Sequence, residues 1–368
     1  MFVEVEFDCE TSAIPPCHSS FMGFLRGSGI LLSTNESFGE KIPLSRCPWY
    51  RHMNATMFST GEVMNSISSV SQLVELARTH KGKRIVVPTA ETESALGAAI
   101  EARKSGLASS VLIGDVEKIK KMLAASGEDF SHYELVSETS DTEAARKAVA
   151  IVRAGEAHVI LKGKLKTGDL LRAVLHREEG LRTGNLLSDV LVSENPMSAT
   201  PKILGLTDGG MNVAPDFSAK KAIIENAVRV FHRIGFAMPK VAILCALEEP
   251  SESMPHTLEA RKLQEMCEAG EIKNCEICGP LALDNAIWPE AARLKGISHP
   301  VAGQADLLVV PTIETGNALG KAFTYFAKKP VGHVIEGARA PILIPSRAES
   351  AQDKLISIAL GILCSVQS

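Results

Sequence analysis

Short apolar runs alternate with longer amphipathic stretches from Ser66 to the carboxyl terminus. The runs, such as RIVVP at 84–88, are rich in Val and Ile and show no alternation, which is typical of strands buried on both faces. The stretches between them, such as DTEAARKAVAIVRAG at 141–155, carry apolar residues at helical spacing. Repeated units of this kind predict a doubly wound α/β fold with a mostly parallel sheet.

The remaining elements follow the same pattern along the chain. The predicted strands are SVLIG, YELVS, AHVILKG, LSDVLVS, KILGLTD, KVAILCAL, DLLVVP and APILIPSR. The predicted helices are SQLVELARTH, ETESALGAAIEARKSG, one from Val116, AKKAIIENAVRVFHRIG, GNALGKAFTYFAKK and a last one after APILIPSR.

One strand–turn–helix segment occurs twice. VVPTAETESALGAAI at 86–100 and VVPTIETGNALGKAF at 309–323 are identical at ten of fifteen positions, although chance or shared turn chemistry would also explain so short a match. Gly316 and Asn317 of the second copy replace Glu and Ser of the first. Because glycine lacks a Cβ, a ligand can approach backbone N–H groups at a helix start. We therefore expect the first copy to be structural and the second to belong to a site.

Residues 1–63 differ from the rest of the chain. They contain irregular Ser, Pro and Gly clusters and no sustained helical or strand period. Their acidic start is unlike a secretory signal, and their excess of acidic residues is unlike a transit peptide. We expect a disordered extension, or translated sequence upstream of a true start at Met57 or Met64.

Composition limits the class of protein. A length of 368 residues suggests two domains at roughly 150 residues each. A net charge of −4 disfavours broad nucleic-acid binding. The longest apolar stretch, Leu355–Val366, is shorter than the roughly 20 residues of a membrane span. Eight cysteines in so long a chain do not indicate a disulfide scaffold. We expect a soluble, cytoplasmic protein without membrane or nucleic-acid partners.

Several common motifs are missing or incomplete. GHVIEGAR at 332–339 is the nearest approach to a phosphate loop, but it lacks the Lys and hydroxyl pair. Cys275 and Cys278 form a lone CxxC without a second ligand pair at finger-like spacing. We interpret them as small buried hydrophobic residues and predict no metal.

Candidate catalytic and binding residues follow the ends of the predicted strands. Open parallel sheets bind ligands beyond the carboxyl ends of their strands. Lys162 follows HVIL, and Ser346 with Arg347 follows PILIP. An arginine leaving a buried strand is a bidentate donor suited to phosphate or carboxylate, whereas Ser346 could donate a hydrogen bond or cap the next helix. Asp353 lies six residues beyond Arg347, within reach of the same cleft. The residues alone indicate only a site for a small anion.

Four ordered segments together resemble the phosphate acetyltransferase/phosphate butyryltransferase family. They are LKGKLKTGDLLRAVL, CGPLALDNAI, DLLVVPTIETGNALGKAFTYF and GARAPILIPSRAESAQD. The likeness extends from about Ser66 to the carboxyl terminus and is greatest to the short, butyryltransferase-like forms. It implies reversible transfer of an acyl group between coenzyme A and inorganic phosphate in a ternary complex, without a metal or a covalent intermediate.

The resemblance also implies an architecture. It predicts two α/β/α domains with an active site in the interdomain cleft, as in isocitrate and isopropylmalate dehydrogenases, and a homodimer. We expect the first domain at 64–189 plus 334–368 and the second at 190–333.

The family's site residues transfer to this chain by motif. The resemblance implies catalytic roles for Ser346, Arg347 and Asp353, and substrate binding by Arg172, Gly316 and Asn317. Lys162, at the end of its strand, is a further candidate for substrate binding. Asp353 would deprotonate the thiol, Ser346 would stabilise the oxyanion, and Arg347 would bind the leaving phosphate, with Arg172 as a second cation. A surface role for Arg172 and a solvated helix position for Asp353 remain the alternatives.

Two departures from the family pattern affect the pocket. Cys278 precedes Gly279-Pro280 where the family often has an acidic residue, and Gly320 stands where a bulkier residue is common. The choice among acetyl, propionyl and butyryl groups is therefore open.

Two other functions remain possible at this point. One is an NAD- and metal-dependent decarboxylating dehydrogenase of the isocitrate/isopropylmalate type, although no clustered aspartates lie near the arginines. The other is a non-catalytic acyl-CoA or acyl-phosphate sensor, which the presence of Ser346, Arg347 and Asp353 disfavours.

Overall fold

The computed structural model describes residues 67–346 and 349–366, and the backbone of two short strands near the amino terminus. The chain divides into two compact units, Met1–Val63 and Met64–Ser368. In the first unit, β1 (Met22–Arg26) pairs antiparallel with β2 (Gly29–Ser33). The rest of that unit lies outside the described residues, so a disordered or mis-started extension stays a prediction.

The second unit contains one eleven-stranded sheet. Its strands are β3 (Arg84–Pro88), β4 (Ser109–Gly114), β5 (Glu134–Ser137), β6 (Val159–Leu161), β7 (Ser188–Glu194), β8 (Ile203–Thr207), β9 (Lys240–Leu244), β10 (Glu276–Leu281), β11 (Leu307–Val309), β12 (Gly332–Glu336) and β13 (Ile342–Leu343). Their order across the sheet is β10-β9-β11-β8-β7-β12-β13-β6-β3-β4-β5.

Helices connect most of these strands. They are α1 (Val70–Thr79), α2 (Glu93–Lys104), α3 (Val116–Ala125), α4 (Asp141–Arg153), α5 (Thr167–Val174), α6 (Phe217–Arg233), α7 (Pro255–Glu268), α8 (Leu283–Ile287), α9 (Pro289–Leu294), α10 (Ile313–Tyr325) and α11 (Ala351–Cys364). A short 3-10 helix covers Phe130–His132. Several helices begin where a Ser, Thr or Asp side chain accepts a hydrogen bond from the amide three residues on, as at Ser69, Asp115 and Asp216.

The sheet consists of two parallel halves that run in opposite directions. β8, β11, β9 and β10 are parallel to one another, and β13, β6, β3, β4 and β5 form the other parallel set. β7 and β12 lie between them and pair antiparallel with each other, with β8 and with β13. The predicted α/β fold with a mostly parallel sheet is confirmed, while the reversal at its centre was not predicted.

The two faces of the sheet are covered differently. One face carries a single apolar core under α1, α2, α3, α6, α7 and α11. The other face carries two cores, one under α4 and α5 and one under α8 and α10. Successive strand residues alternate between these faces, as Val190 and Leu191 do in β7. The sheet itself is continuous, and the predicted domain division stays a prediction.

Several elements were missed or misplaced by sequence reasoning. β10, β12 and α7 were not predicted. In β12, polar residues such as His333 and Glu336 interrupt the short apolar pattern that would indicate a strand. Helix α10 begins at Ile313, three residues before the predicted start.

Across residues 67–346 and 349–366, each helix is too short or too polar to traverse a bilayer.

Candidate functional site

A cavity of about 350 Å³ lies over the centre of the sheet, on the face that carries two cores. Its floor consists of alternate residues of the central strands, Asp189 and Leu191 of β7, Leu206 of β8, and His333 and Ile335 of β12. Leu191 and Leu206 belong to one core, whereas Ile335 belongs to the other. The cavity therefore occupies the place where the two cores separate.

Four of the predicted site residues meet at this cavity. Lys162 follows β6, Ser346 follows β13, and Gly316 with Asn317 lies in the first turns of α10. Arg347, predicted to bind phosphate, lies outside the described residues. Strand-end reasoning thus identified residues of the rim, while the floor of the cavity is the face of the sheet.

Arg172 is not among the residues that line the cavity. Its guanidinium is 73% exposed on α5, and its Nη1 lies 2.7 Å from Oδ1 of Asp169, one turn earlier. An exposed pair of this kind contributes little stability. The assignment of Arg172 to substrate binding stays a prediction.

Asp353 also lies outside the cavity lining, in the first turn of α11. It is only 4% exposed. Its Oδ2 accepts hydrogen bonds from the amide and hydroxyl of Ser350, at 3.0 and 2.7 Å, and its Oδ1 accepts one from the amide of Val331 at 2.9 Å. The Ser350 hydroxyl in turn accepts from the Asp353 amide, which completes a capping box. The Asp353 carboxylate therefore connects α11 to the residue before β12.

Gly316 is a point of close backbone packing. A Cβ on this residue would lie 2.6 Å from the carbonyl oxygen of Asp208 and 2.7 Å from the Cα of Gly209. Asn317 Nδ2 also donates to the carbonyl oxygen of Gly209 at 3.4 Å. The loop after β8 thus occupies the approach to Gly316 that the sequence assigned to a ligand.

Asp208 organises that loop. Its carboxylate accepts hydrogen bonds from the amides of Gly210 and Met211, at 2.9 and 2.8 Å, and from the Asn212 amide group at 2.6 Å. Burial, together with the nearby Asp189 carboxylate, raises the pKa of Asp208 above its usual range despite these donors. The loop presents Gly209, Gly210 and Met211 to the cavity.

A histidine–carboxylate pair forms the polar part of the floor. His333 Nδ1 lies 3.3 Å from both carboxylate oxygens of Asp189. The Asp189 side chain is 10% exposed and that of His333 is 27% exposed, so solvent screens the pair only in part. Burial disfavours the imidazolium, but Asp189 and Glu349 outweigh it and raise the pKa of His333. These two carboxylates therefore stabilise the imidazolium form of His333 relative to that of an unperturbed histidine.

Glu349 completes the ionisable part of the lining. Its Oε1 accepts a hydrogen bond from the Ser346 amide at 2.7 Å. Its Oε2 is buried and has no hydrogen-bond partner among residues 67–346 and 349–366. Burial raises the pKa of the Glu349 carboxyl, and Asp353 adds to this, while His333, the Ser346 amide and Lys321 oppose it.

Sequence reasoning missed Asp189, His333, Glu349 and Lys321. A signal existed for Asp189, because a charged residue inside the apolar run LSDVLVS is unusual unless it has a partner. No comparable signal marked the others, because β12 was not predicted, Lys321 occurs in an ordinary helical sequence, and Glu349 lies in the short segment before α11.

The two cysteines of the CxxC segment lie on opposite faces of the sheet. Cys275 packs in the continuous core and Cys278 in one of the two opposing cores. Burial raises the pKa of Cys278 to about 11 and also raises that of Cys275. Within the part of the chain that the structure describes, no group of three His, Cys, Asp or Glu side chains could hold a metal ion.

These features define an α/β protein with a cavity over the centre of its sheet, where lysine side chains and a histidine–carboxylate pair lie beside apolar residues. The chain belongs to the family described as Phosphate acetyl/butaryl transferase, because residues 68–146 and 136–362 match the family profile.

Individual relatives agree with this assignment. The chain is 40% identical to a phosphate butyryltransferase of Clostridium acetobutylicum, over 81% of this chain and 98% of that protein. It is 39% identical to a phosphate acetyltransferase of Thermotoga maritima, over 79% of this chain and 98% of that protein. A solved structure of a branched-chain phosphotransacylase from Enterococcus faecalis V583 is 29% identical, with a TM-score of 0.69, covering 77% of this chain and 99% of that one. These findings support neither the dehydrogenase nor the sensor.

Proposed function

We propose that the protein is a phosphate acyltransferase, which moves an acetyl, butyryl or other short acyl group between coenzyme A and inorganic phosphate. The observation that carries the proposal is the cavity, where the cationic side chains of Lys162 and Lys321 line the same space as the apolar Leu191 and Leu206. The cations suit a phosphate, and the apolar side chains suit an alkyl chain. Membership of the acyltransferase family limits the chemistry of such a site.

The proposed reaction takes place in a ternary complex of enzyme, acyl phosphate and coenzyme A. A base removes the proton from the thiol, whose unperturbed pKa of about 8.5 keeps it mostly protonated at neutral pH. The thiolate attacks the acyl carbon, the C–S bond forms, and the C–O bond to phosphate breaks. The bonding electrons leave with inorganic phosphate, and the reverse reaction retraces these steps. Holding both substrates in one cavity supplies much of the rate.

The resemblance assigns the individual roles, which stay predictions. Ser346 donates to the developing oxyanion, and Asp353 is the predicted base. Arg347 binds the leaving phosphate, with Arg172, Lys162, Gly316 and Asn317 as further binding residues. His333 on the floor of the cavity is a further candidate binding residue.

Gly320 packs against the apolar side of the cavity, which we propose contacts the acyl chain. A Cβ on this residue would lie 3.1 Å from Cδ1 of Leu191 and 3.7 Å from Cδ2 of Leu206. A larger side chain here would therefore displace Leu191 and change the shape of the proposed acyl pocket.

The larger assembly also follows the resemblance. We expect two α/β/α domains around the cleft, 64–189 plus 334–368 and 190–333, in the isocitrate/isopropylmalate dehydrogenase-like arrangement. A homodimer in the cytoplasm, with coenzyme A and phosphate as its small-molecule partners, belongs to the same proposal.

A thioester absorbance assay tests the proposed function. Purified protein is mixed with coenzyme A and acetyl, propionyl or butyryl phosphate, and thioester formation should depend on protein, coenzyme A and acyl phosphate together. Binding of these substrates without turnover, or reduction of a nicotinamide cofactor without coenzyme A, would overturn the proposal.

A further inference from the structure

A second cavity, of about 330 Å³, lies at the other end of two strands that lead to the first cavity. His158 and Pro341 line the second cavity and directly precede β6 and β13. Lys162 and Ser346 follow these same strands and line the cavity already described. The volume of the second cavity falls within the range of small-molecule sites, roughly 300–1,000 Å³.

Three arginines from separate elements line this second space, which we call the arginine cavity. Arg153 ends α4, Arg233 ends α6, and Arg339 lies in the loop between β12 and β13. Among the described residues of the lining, Glu336 is the one acidic side chain. A concave lining with three fixed positive charges and one carboxylate concentrates anions.

Two of these arginines carry charges that the described residues do not neutralise. Within residues 67–346 and 349–366, neither the Arg153 nor the Arg339 guanidinium has an ion-pair or hydrogen-bond partner. The backbone of Arg339 is held in place, since its amide donates to the Leu181 carbonyl at 2.8 Å. Arg233 donates through Nη1 to the carbonyl oxygen of Cys364, which also lines the cavity. The guanidinium donors of Arg153 and Arg339 are therefore available to a ligand.

The other polar side chains of the lining also suit an anion. His158 Nδ1 accepts a hydrogen bond from the Arg84 amide at 3.2 Å, so a neutral imidazole carries its proton on Nε2 and can donate there. Burial lowers the pKa of His158, and the charges of Lys83 and Arg84 lower it further. Burial raises the pKa of Glu336 although two nearby arginines oppose it, which disfavours the charged form of the one carboxylate.

We propose that the arginine cavity binds a small organic dianion, held by the guanidinium groups of Arg153 and Arg339, with Arg233 and His158 as further donors. The ligand class follows from the donors, because a guanidinium pairs two N–H groups with two oxygens of a carboxylate or phosphate. Dicarboxylates and phosphate monoesters share this chemistry. The site is distinct from the acyl-transfer cavity, and the inference does not rest on the proposed function.

Isothermal titration calorimetry of the full chain at low ionic strength tests the proposal. Succinate is the dicarboxylate probe, glycerol 3-phosphate is the phosphate monoester, and glycerol is the uncharged control. Wild type should bind one molecule of at least one dianion per chain, the tighter probe identifies the class, and added salt should weaken binding. Arg153→Gln/Arg339→Gln should lower the affinity at least about tenfold, because hydrogen bonds to charged groups are lost. Each single variant should show part of this loss.

Two control variants locate the bound anion. Arg146→Gln removes an exposed arginine about two turns earlier on α4, which pairs with Glu143 and does not line the cavity, so the affinity should change less than about twofold. Lys321→Gln removes a cation from the acyl-transfer cavity and should leave the affinity unchanged. The Arg153 and Arg339 side chains are exposed, so their double variant should keep the wild-type urea midpoint.

Three results would overturn the proposal. Neither dianion binds wild type, or the double variant loses no more affinity than Arg146→Gln, or Lys321→Gln abolishes binding and so places the anion in the acyl-transfer cavity. A protein without turnover in the thioester assay would overturn the proposed function and leave the result of the titrations unaffected.

Discussion

The two copies of the VVPT segment share most of their residues but build different helix starts. In the first copy, Thr92 is the N-cap, its hydroxyl accepts from the Ala95 amide at 3.2 Å, and α2 begins at Glu93. In the second copy, Thr312 is the N-cap, and α10 begins at Ile313, one turn earlier in the aligned sequence. Thr89, which aligns with Thr312, has a positive φ of 52° and cannot take that place.

Each copy supports the loop after a neighbouring strand. Thr89 accepts hydrogen bonds from the amides of Lys164 and Leu165, and so anchors the segment that follows Lys162. Gly316 and Asn317 contact the loop after β8 in the corresponding way. Helix α10 also presents Gly320 and Lys321 to the cavity. The surrounding structure therefore decides whether nearly the same sequence only supports a neighbouring loop or also lines the cavity.

The largest effect is expected at the aligned pair Gly316 and Glu93. Gly316→Ala places a methyl group against the Asp208 and Gly209 backbone, and should lower the free energy of unfolding by about 1–3 kcal/mol and reduce turnover. Glu93→Ala, in the exposed first turn of α2, should cost less than about 1 kcal/mol. Urea unfolding with the thioester assay checks both. Equal effects in the two variants would contradict the difference between the copies.

The aligned glycines Gly97 and Gly320 give the next largest effect. Gly320→Ala should lower kcat/KM for butyryl phosphate about tenfold relative to acetyl phosphate. The added methyl group would press on Leu191 and narrow the cavity beside it. At Gly97 a Cβ would meet nothing within 4 Å, so Gly97→Ala should stabilise α2 by up to about 1 kcal/mol without a change in selectivity. The acyl preference and the unfolding midpoint are measured for both. An unchanged preference in Gly320→Ala would remove this residue from the acyl pocket.

The smallest effect concerns the aligned threonines Thr92 and Thr315. Thr92→Ala removes the cap of α2 and should lower the free energy of unfolding by about 1 kcal/mol. Thr315 lies inside α10 and caps no helix, so Thr315→Ala should change stability by less than about 0.5 kcal/mol. Denaturant unfolding of the two variants compares them directly. A larger loss for Thr315→Ala would show that the two helix starts are not distinguished by these residues.

Sequence reasoning predicted the features that a short stretch of sequence specifies. The continuous apolar runs predicted β3, β4 and β8, and the family motifs brought Lys162, Ser346, Gly316 and Asn317 to one region. These features depend on short windows of sequence or on ordered motifs, which the chain displays directly.

The remaining features depend on pairing between distant segments. β12 is short and partly polar, so its own sequence does not indicate a strand. It pairs with β7 on one side and with β13 on the other. Without β12, neither the reversal of strand direction nor the meeting of His333 with Asp189, 144 residues apart, follows from local patterns. The contacts of Asp353 could not be predicted either, because the Val331 amide that donates to its carboxylate belongs to a separate segment of the chain.

The most direct test of the account asks whether the cavity between the two cores performs acyl transfer. The measurement is kcat/KM for butyryl phosphate with saturating coenzyme A in wild type and Ser346→Ala, with circular dichroism as the control for folding. Removal of the hydroxyl that is predicted to donate to the oxyanion should lower kcat/KM by about 10²–10³-fold while the fold is retained. A folded Ser346→Ala protein with wild-type kcat/KM would contradict the placement of acyl transfer in this cavity.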